Sequence, residues 1–149
     1  MRIKIPFNTP VLFKTQIPVR VCDINYGGHL GNDRILSIAQ DARILFLKQW
    51  NYTELNAAGA GLIMADSAIQ YKAESFLGDI IEVSISVDTI SSISFDLFYK
   101  LSTDRDGKKI DIAFVKTGMI AFNYEKRCIM NIPEELKRHF SLRDSLADM

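Results

Sequence analysis

Apolar and polar positions alternate along most of this chain, and in one long stretch the period lengthens to that of a helix. From Val11 to Val21, Val11, Phe13, Ile17, Val19 and Val21 are apolar, with Lys14, Gln16 and Arg20 between them. This pattern predicts a half-buried strand, and Pro18, which cannot donate to a ladder, places part of it at an edge or bulge. A helix is predicted from about Asp33 to Trp50. Ile35, Ala39, Ala42, Phe46 and Trp50 share one face, flanked by Leu36, Ile38, Leu45 and Leu47. The apolar arc covers about 200°, against the ~100° stripe of an ordinary surface helix, so the helix is expected in the core, wrapped by something concave.

A short capped helical turn is predicted at Thr53, Glu54 and Leu55, followed by the flexible Gly59-Ala60-Gly61. Period two then takes over. Leu62 to Lys72 reads as one strand; Ile81, Val83, Ile85 and Val87 mark the next; Ile93, Phe95, Leu97, Tyr99 and Leu101 mark a third. Asp106-Gly107 signals a hairpin, because glycine accepts the positive φ of the turn. A last long strand spans about Lys109 to Asn123, with a bulge expected at Gly118 or at Phe114-Val115. Pro133 opens a terminal helix over Glu134 to Phe140. Consecutive strands joined by short turns make an antiparallel meander with one apolar face to cover, and the broad helix is the candidate to cover it. The class is α+β: a curved antiparallel sheet around one long helix.

The 149 residues, 48% of them apolar, suit a single domain over 1–149. Eighteen Lys+Arg balance eighteen Asp+Glu, so nothing in the overall charge points to nucleic acid. No stretch has the length of a membrane span or of a secretory signal. The two cysteines, Cys22 and Cys128, are too few for a disulfide framework, and the expected setting is cytoplasmic with reduced thiols. Two histidines and two cysteines at these positions show no ligand spacing, so no metal is expected.

The chemistry concentrates in the turn before the long helix, Asp23-Ile24-Asn25-Tyr26-Gly27-Gly28-His29-Leu30-Gly31, which ends at Asn32-Asp33. Asn32 or Asp33 can cap the helix through a side-chain oxygen. A helix front after a Gly-Gly turn presents free amides and a dipole that favours negative charge. Gly27 and Gly28 allow close backbone approach. Asp23, His29 and Asp41 are the candidate bases. Arg43 projects into the apolar arc and needs an anionic or carbonyl partner, such as Asp23 or a group across a subunit interface.

The stretch from Val21 to Asn32, followed by Asp41-Ala42-Arg43 in the helix, resembles the hot-dog-fold acyl-CoA thioesterases of the 4-hydroxybenzoyl-CoA type. Their turn reads D-x-D-x-x-G-H-V-x-N, followed by an acidic residue and Ala-Arg in the helix. The resemblance implies a homodimer or homotetramer, a CoA thioester substrate, and hydrolysis assisted by a carboxylate with neither metal nor cofactor. It departs at one position: the second Asp, the usual catalytic carboxylate, is Asn25 here. An amide does not titrate near neutral pH and is a poor nucleophile. Another branch of hot-dog thioesterases places its carboxylate about two turns into the helix, near Asp41. Asp41 is thus favoured as base or nucleophile, with His29 and Asn25 positioning water or carbonyl. Asp23 is a further candidate, and Tyr26, Gly27, Gly28 and Asn32 are expected substrate contacts.

Two other readings stay open. Asn25 keeps alive a noncatalytic acyl-thioester binding protein. A hot-dog enoyl-CoA hydratase pattern, D-x-N-P-x-H, is half matched by Asp23-Ile24-Asn25. His29 stands one residue too far for it, and Tyr26 replaces the proline. One sheet around one helix leaves no deep internal pocket and exposes strand edges, so the site is expected at a dimer interface. Light scattering at assay concentration is expected to show a dimer or tetramer; a stable 16.9 kDa monomer would contradict this.

Overall fold

Along the chain, β1 (Phe13–Pro18) leads to α1 (Ile35–Lys48), then β2 (Gly61–Tyr71), β3 (Ile80–Asp88), β4 (Ser94–Arg105), β5 (Lys108–Asn123), β6 (Cys128–Ile129) and α2 (Glu134–Ser141). These come from a computed structural model that describes residues 1–7 and 10–141. The strands form one sheet in the order β1-β3-β4-β5-β2, with β6 adding to β5 and every pairing antiparallel. β1 and β2 are therefore the two edges. Pro18 lies on edge strand β1, opposite Ile80, as its missing N–H demands. Asp106 and Gly107 take φ of 53° and 78° and join β4 to β5, the paired positive angles of a tight hairpin turn.

Three local details differ from the sequence pattern. β1 is shorter than the alternation suggested, because Val21–Asp23 coil into a 3₁₀ turn. No helix forms at Thr53, Glu54 and Leu55. There Thr53 and Asn56 exchange backbone hydrogen bonds and the Glu54 carbonyl accepts Leu62 N, which closes a loop instead. The bulge in β5 falls at Ile112, since Leu101 pairs with Ala113 and Ser102 with Asp111. A second irregularity lies on the neighbouring strand, at Ala65, facing Gly118. There Asp66 Oδ1 accepts the Gly118 amide at 3.1 Å.

α1 buries Ile35, Ile38, Ala39, Ala42, Phe46 and Leu47 against the sheet, while Ile44 and Leu45 remain at the surface. Its end is closed by Asn51 at φ 60°, with Asn51 N donating to Lys48 O and Tyr52 N to Leu47 O. Asparagine is the residue besides glycine that commonly tolerates this conformation. α2 seals the same end of the core. Phe140 stacks on Phe46 at 6.0 Å and tilts against Phe95 at 4.8 Å.

The buried Arg43 finds its partner in the loop after α1, and that partner is Glu54, not Asp23. Arg43 Nε donates to Glu54 Oε1 at 2.5 Å and Nη1 to the Tyr99 hydroxyl at 3.1 Å. The Tyr99 hydroxyl lies 2.9 Å from Thr117 Oγ1. Burial and the neighbouring charges act in opposite directions on this chain of groups; Tyr99 titrates above the usual phenol range because burial outweighs Arg43. The guanidinium is thus satisfied within one chain. Phe46 is fully buried at the crossing of α1, β1 and α2. Phe46→Ala is expected to cost about 3–5 kcal/mol in denaturant unfolding, the range for removing a buried aromatic ring.

Candidate active site

The corner between β1 and α1 is a closed loop. Gly31 N donates to Asp23 O at 2.9 Å across its neck, and Ile24 and Leu30 form an isolated antiparallel bridge just inside. Asp23 anchors the near side. Its carboxylate is 2% exposed and accepts Arg20 N at 2.9 Å, Arg20 Nε at 3.3 Å and Arg20 Nη2 at 3.2 Å. Burial pushes the Asp23 carboxyl up, but these donors and the cationic Arg20 and Arg34 together hold it below the usual carboxylate range. Asp23 is occupied in holding the turn.

Asn25 organises the far side. Its Oδ1 accepts Gly27 N at 2.9 Å and His29 N at 3.4 Å, while its backbone N donates to His29 O and its carbonyl accepts Gly28 N. The positive φ of Gly28, 82°, makes this reversal possible. The amides of Gly27 and Gly28 are therefore engaged within the loop. The free donors lie further on. Asn32 and Asp33 sit inside a first 3₁₀ turn whose N-cap is Gly31, so neither side chain makes the expected capping bond. Their backbone N–H groups donate to no other described residue.

A cleft of about 750 Å³ lies between this corner and the connection from β2 to β3. Asn25, Tyr26, Gly27, His29 and Asn32 line it, as does Asp33. Asp23, Gly28 and Asp41 do not. Asp41 is exposed on α1. Tyr26 is fully exposed at the rim. A side chain at position 27 would place its Cβ 3.2 Å from His29 Nε2, so glycine keeps the imidazole uncrowded.

The opposite wall brings a carboxylate that no sequence spacing announced. His29 Nε2 faces Glu74 Oε1 at 3.8 Å, and His29 Nδ1 is 3.2 Å from Leu30 O. The Leu30 carbonyl can only accept, so the contact assigns a proton to Nδ1 and leaves Nε2 toward Glu74 and the cleft. The backbone of the loop that carries Glu74 is held by its surroundings, while the Glu74 side chain is largely exposed. Leu30 N donates to Ser75 O at 2.7 Å, joining the two walls. The Tyr71 hydroxyl donates to Asn32 O at 3.1 Å. Asp79 ties the loop together by accepting Ser75 Oγ, Phe76 N and Arg105 Nη2, and these donors hold its carboxyl below the ordinary range against the effect of burial. Arg105 also donates to the Glu74 carbonyl and lies 5.1 Å over the Phe76 ring.

A second groove of about 440 Å³, between the end of α1 and Leu55, has one acidic group, Glu54, and that group is bound to Arg43. The corner cleft alone, among the described grooves, sets an imidazole beside a carboxylate and bare helix amides. No described group of three or more His, Cys, Asp or Glu side chains is placed to hold a metal ion.

Residues 19–140 match the family described as the Thioesterase-like superfamily. No curated protein sequence matches the chain. Among solved structures it is similar to a thioesterase superfamily protein from Jannaschia sp. CCS1, with a TM-score of 0.81 and 20% identity over 93% of this chain and 86% of that one. It is also similar to a 1,4-dihydroxy-2-naphthoyl-CoA thioesterase from Synechocystis, with a TM-score of 0.76 and 16% identity over 87% and 95% of the two chains. A gentisyl-coenzyme A thioesterase matches with a TM-score of 0.73 and 18% identity over 86% and 99%. The architecture is the hot-dog fold. No described helix is long and apolar enough to cross a membrane.

The low-lying Asp23 carboxyl ties stability to pH. A carboxyl whose folded value lies below its unfolded value of about 4 stabilises fully above that pH and loses the contribution as pH falls through the folded value. Asp23→Ala is expected to cost about 1–3 kcal/mol at neutral pH by leaving Arg20 N unpaired. In thermal unfolding between pH 7 and 2, the gap between wild type and variant should shrink in the acid range.

Proposed function

This chain belongs to the thioesterase-like superfamily, and on that premise we propose that it hydrolyses an acyl-CoA thioester in the corner cleft. The observation that carries the reading is the set of groups gathered there: the His29–Glu74 pair beside the free Asn32 and Asp33 amides. Thioester hydrolysis needs a base for water and donors for the oxyanion, and involves no net electron transfer, so neither metal nor organic cofactor is required.

In this mechanism water attacks the thioester carbonyl carbon and passes a proton to His29 Nε2. The Nδ1–H on the Leu30 carbonyl orients the ring, and Glu74, 3.8 Å from Nε2, stabilises the imidazolium once it has formed. A positioned general base contributes about 10²–10⁴-fold. The tetrahedral oxyanion is received by the Asn32 and Asp33 amides; one such donor is worth roughly 3 kcal/mol of barrier. Asn25 uses its oxygen within the loop, which leaves its NH₂ group to hold the water or the carbonyl. Collapse breaks the C–S bond, and the imidazolium returns its proton to the leaving thiolate, giving free acid and thiol.

The assembly in this reading is a homodimer or homotetramer. β2 has a partner, β5, on one side only, and Ile44, Leu55 and Met64 are exposed large apolar side chains. An unpaired strand edge with exposed apolar neighbours favours pairing with a second copy.

Steady-state thiol release over a series of acyl-CoAs tests the assignment. His29→Ala is expected to lower kcat by about 10²–10⁴-fold. Glu74→Gln is expected to lower kcat by about tenfold or more while KM changes little, as befits a group acting through the imidazole. Asp41→Asn is expected to keep its turnover; loss of turnover there, with Glu74→Gln unaffected, would return the base to Asp41. Release equal to the blank for every thioester, with binding retained, would leave the noncatalytic binding reading that Asn25 favours.

A further inference from the structure

We infer that the groove beside the active-site cleft, walled by residues 1–4 and the end of β2, seats the nucleotide phosphates of the CoA substrate. This rests on the acyl-CoA reading above and extends it to the carrier half of the thioester, where it separates free CoA from a carrier protein.

The N-terminal residues cross the face of the sheet turned away from α1. Ile5 N donates to Gln70 Oε1 at 3.0 Å, Ile5 is buried, and Phe7 lies 6.5 Å from Phe114, the residue paired with Gln70. This anchors the segment that carries Arg2 and Lys4 beside the end of β2. The resulting groove measures about 590 Å³, and its lining holds Arg2, Lys4 and Lys72 with no acidic side chain. None of the three forms an ion pair with another described residue; Lys72 Nζ lies 6.0 Å over the Phe114 ring. Other cations, such as Lys48 and Lys108, also lack an ion pair with a described residue, but among the described grooves only this one gathers three cations with no acidic side chain. Cations gathered without internal partners at a concave site suit multiply charged phosphate.

The groove adjoins the reaction cleft. Tyr71 and Lys72 line both, and the Tyr71 hydroxyl is fixed on the Asn32 carbonyl at the helix front. An acyl-CoA has the same layout: a thioester at one end, a diphosphate and a 3′-phosphate at the other, and a narrow pantetheine arm between. With the carbonyl at His29, the arm passes Tyr71 and the phosphates reach Arg2, Lys4 and Lys72. A carrier-protein substrate offers a single phosphodiester and no free nucleotide to fill the groove.

Isothermal titration of the full chain with CoA, dephospho-CoA and pantetheine tests this without requiring turnover. Wild type should bind CoA at least tenfold more tightly than pantetheine, with dephospho-CoA between them, and CoA affinity should fall as salt rises. Arg2→Ala/Lys4→Ala should weaken CoA about tenfold and leave pantetheine unchanged. Arg2→Lys/Lys4→Arg should restore CoA binding, and equal thermal midpoints would establish that both fold. CoA binding unchanged in the double Ala variant, or wild-type affinity equal for CoA and pantetheine, overturns the inference even if thioesters are hydrolysed. If hydrolysis fails but the phosphate-dependent loss is seen, the groove assignment stands and only the catalytic reading falls.

Discussion

One backbone hydrogen bond, from Gly31 N to Asp23 O, closes the neck of the corner loop, and the geometry of the site follows from it. With the neck shut, α1 is preceded by a 3₁₀ turn whose first amides, of Asn32 and Asp33, donate to no other described residue. The loop itself is filled by the Asn25 side chain. The Asn25 Oδ1 accepts from the Gly27 and His29 amides, which fixes the shape of the corner without a titratable group. Glu74, on the facing wall, returns a carboxylate to the same cleft through His29.

Two aspartates hold the walls, Asp23 buried and Asp79 partly so, and donors around each favour the ionised form. Asp23 gathers Arg20 at one side; Asp79 gathers Ser75, Phe76 and Arg105 at the other. Beneath them, α1 is held by apolar packing and by the Arg43–Glu54–Tyr99–Thr117 chain of polar contacts. A buried guanidinium that lost Glu54 would remain charged and unpaired, which is far more costly than the pair itself is stabilising. The site is thus carried on rigid parts, with Tyr26 exposed at its mouth.

The sheet and its helix were readable because their patterns are local. Period two marks β3, β4 and β5; the broad apolar arc marks α1; Asp106-Gly107 marks its hairpin. Local pattern misleads where a loop hydrogen-bonds to distant backbone. Thr53–Leu55 looks like a helix start, yet Glu54 is drawn to Leu62 and Arg43. The corner was legible as a reactive turn because its glycines, Asn25 and His29 are contiguous. Glu74 was not: it lies far beyond His29 in sequence and meets it because antiparallel pairing of β1 with β3, with Val19 N on Asp79 O and Leu30 N on Ser75 O, brings the β2–β3 connection to the corner. Charge balance concealed the basic groove in the same way, since a net charge of zero says nothing about where unpaired cations collect.

The most direct test is a crystal structure with a non-hydrolysable ketone analogue of an acyl-CoA, in which CH₂ separates the carbonyl from sulfur. The account places the carbonyl oxygen about 3 Å from the Asn32 and Asp33 amides, with His29 Nε2 on the face open to water. A carbonyl seated beside Asp41, or anywhere outside the corner cleft, would contradict it.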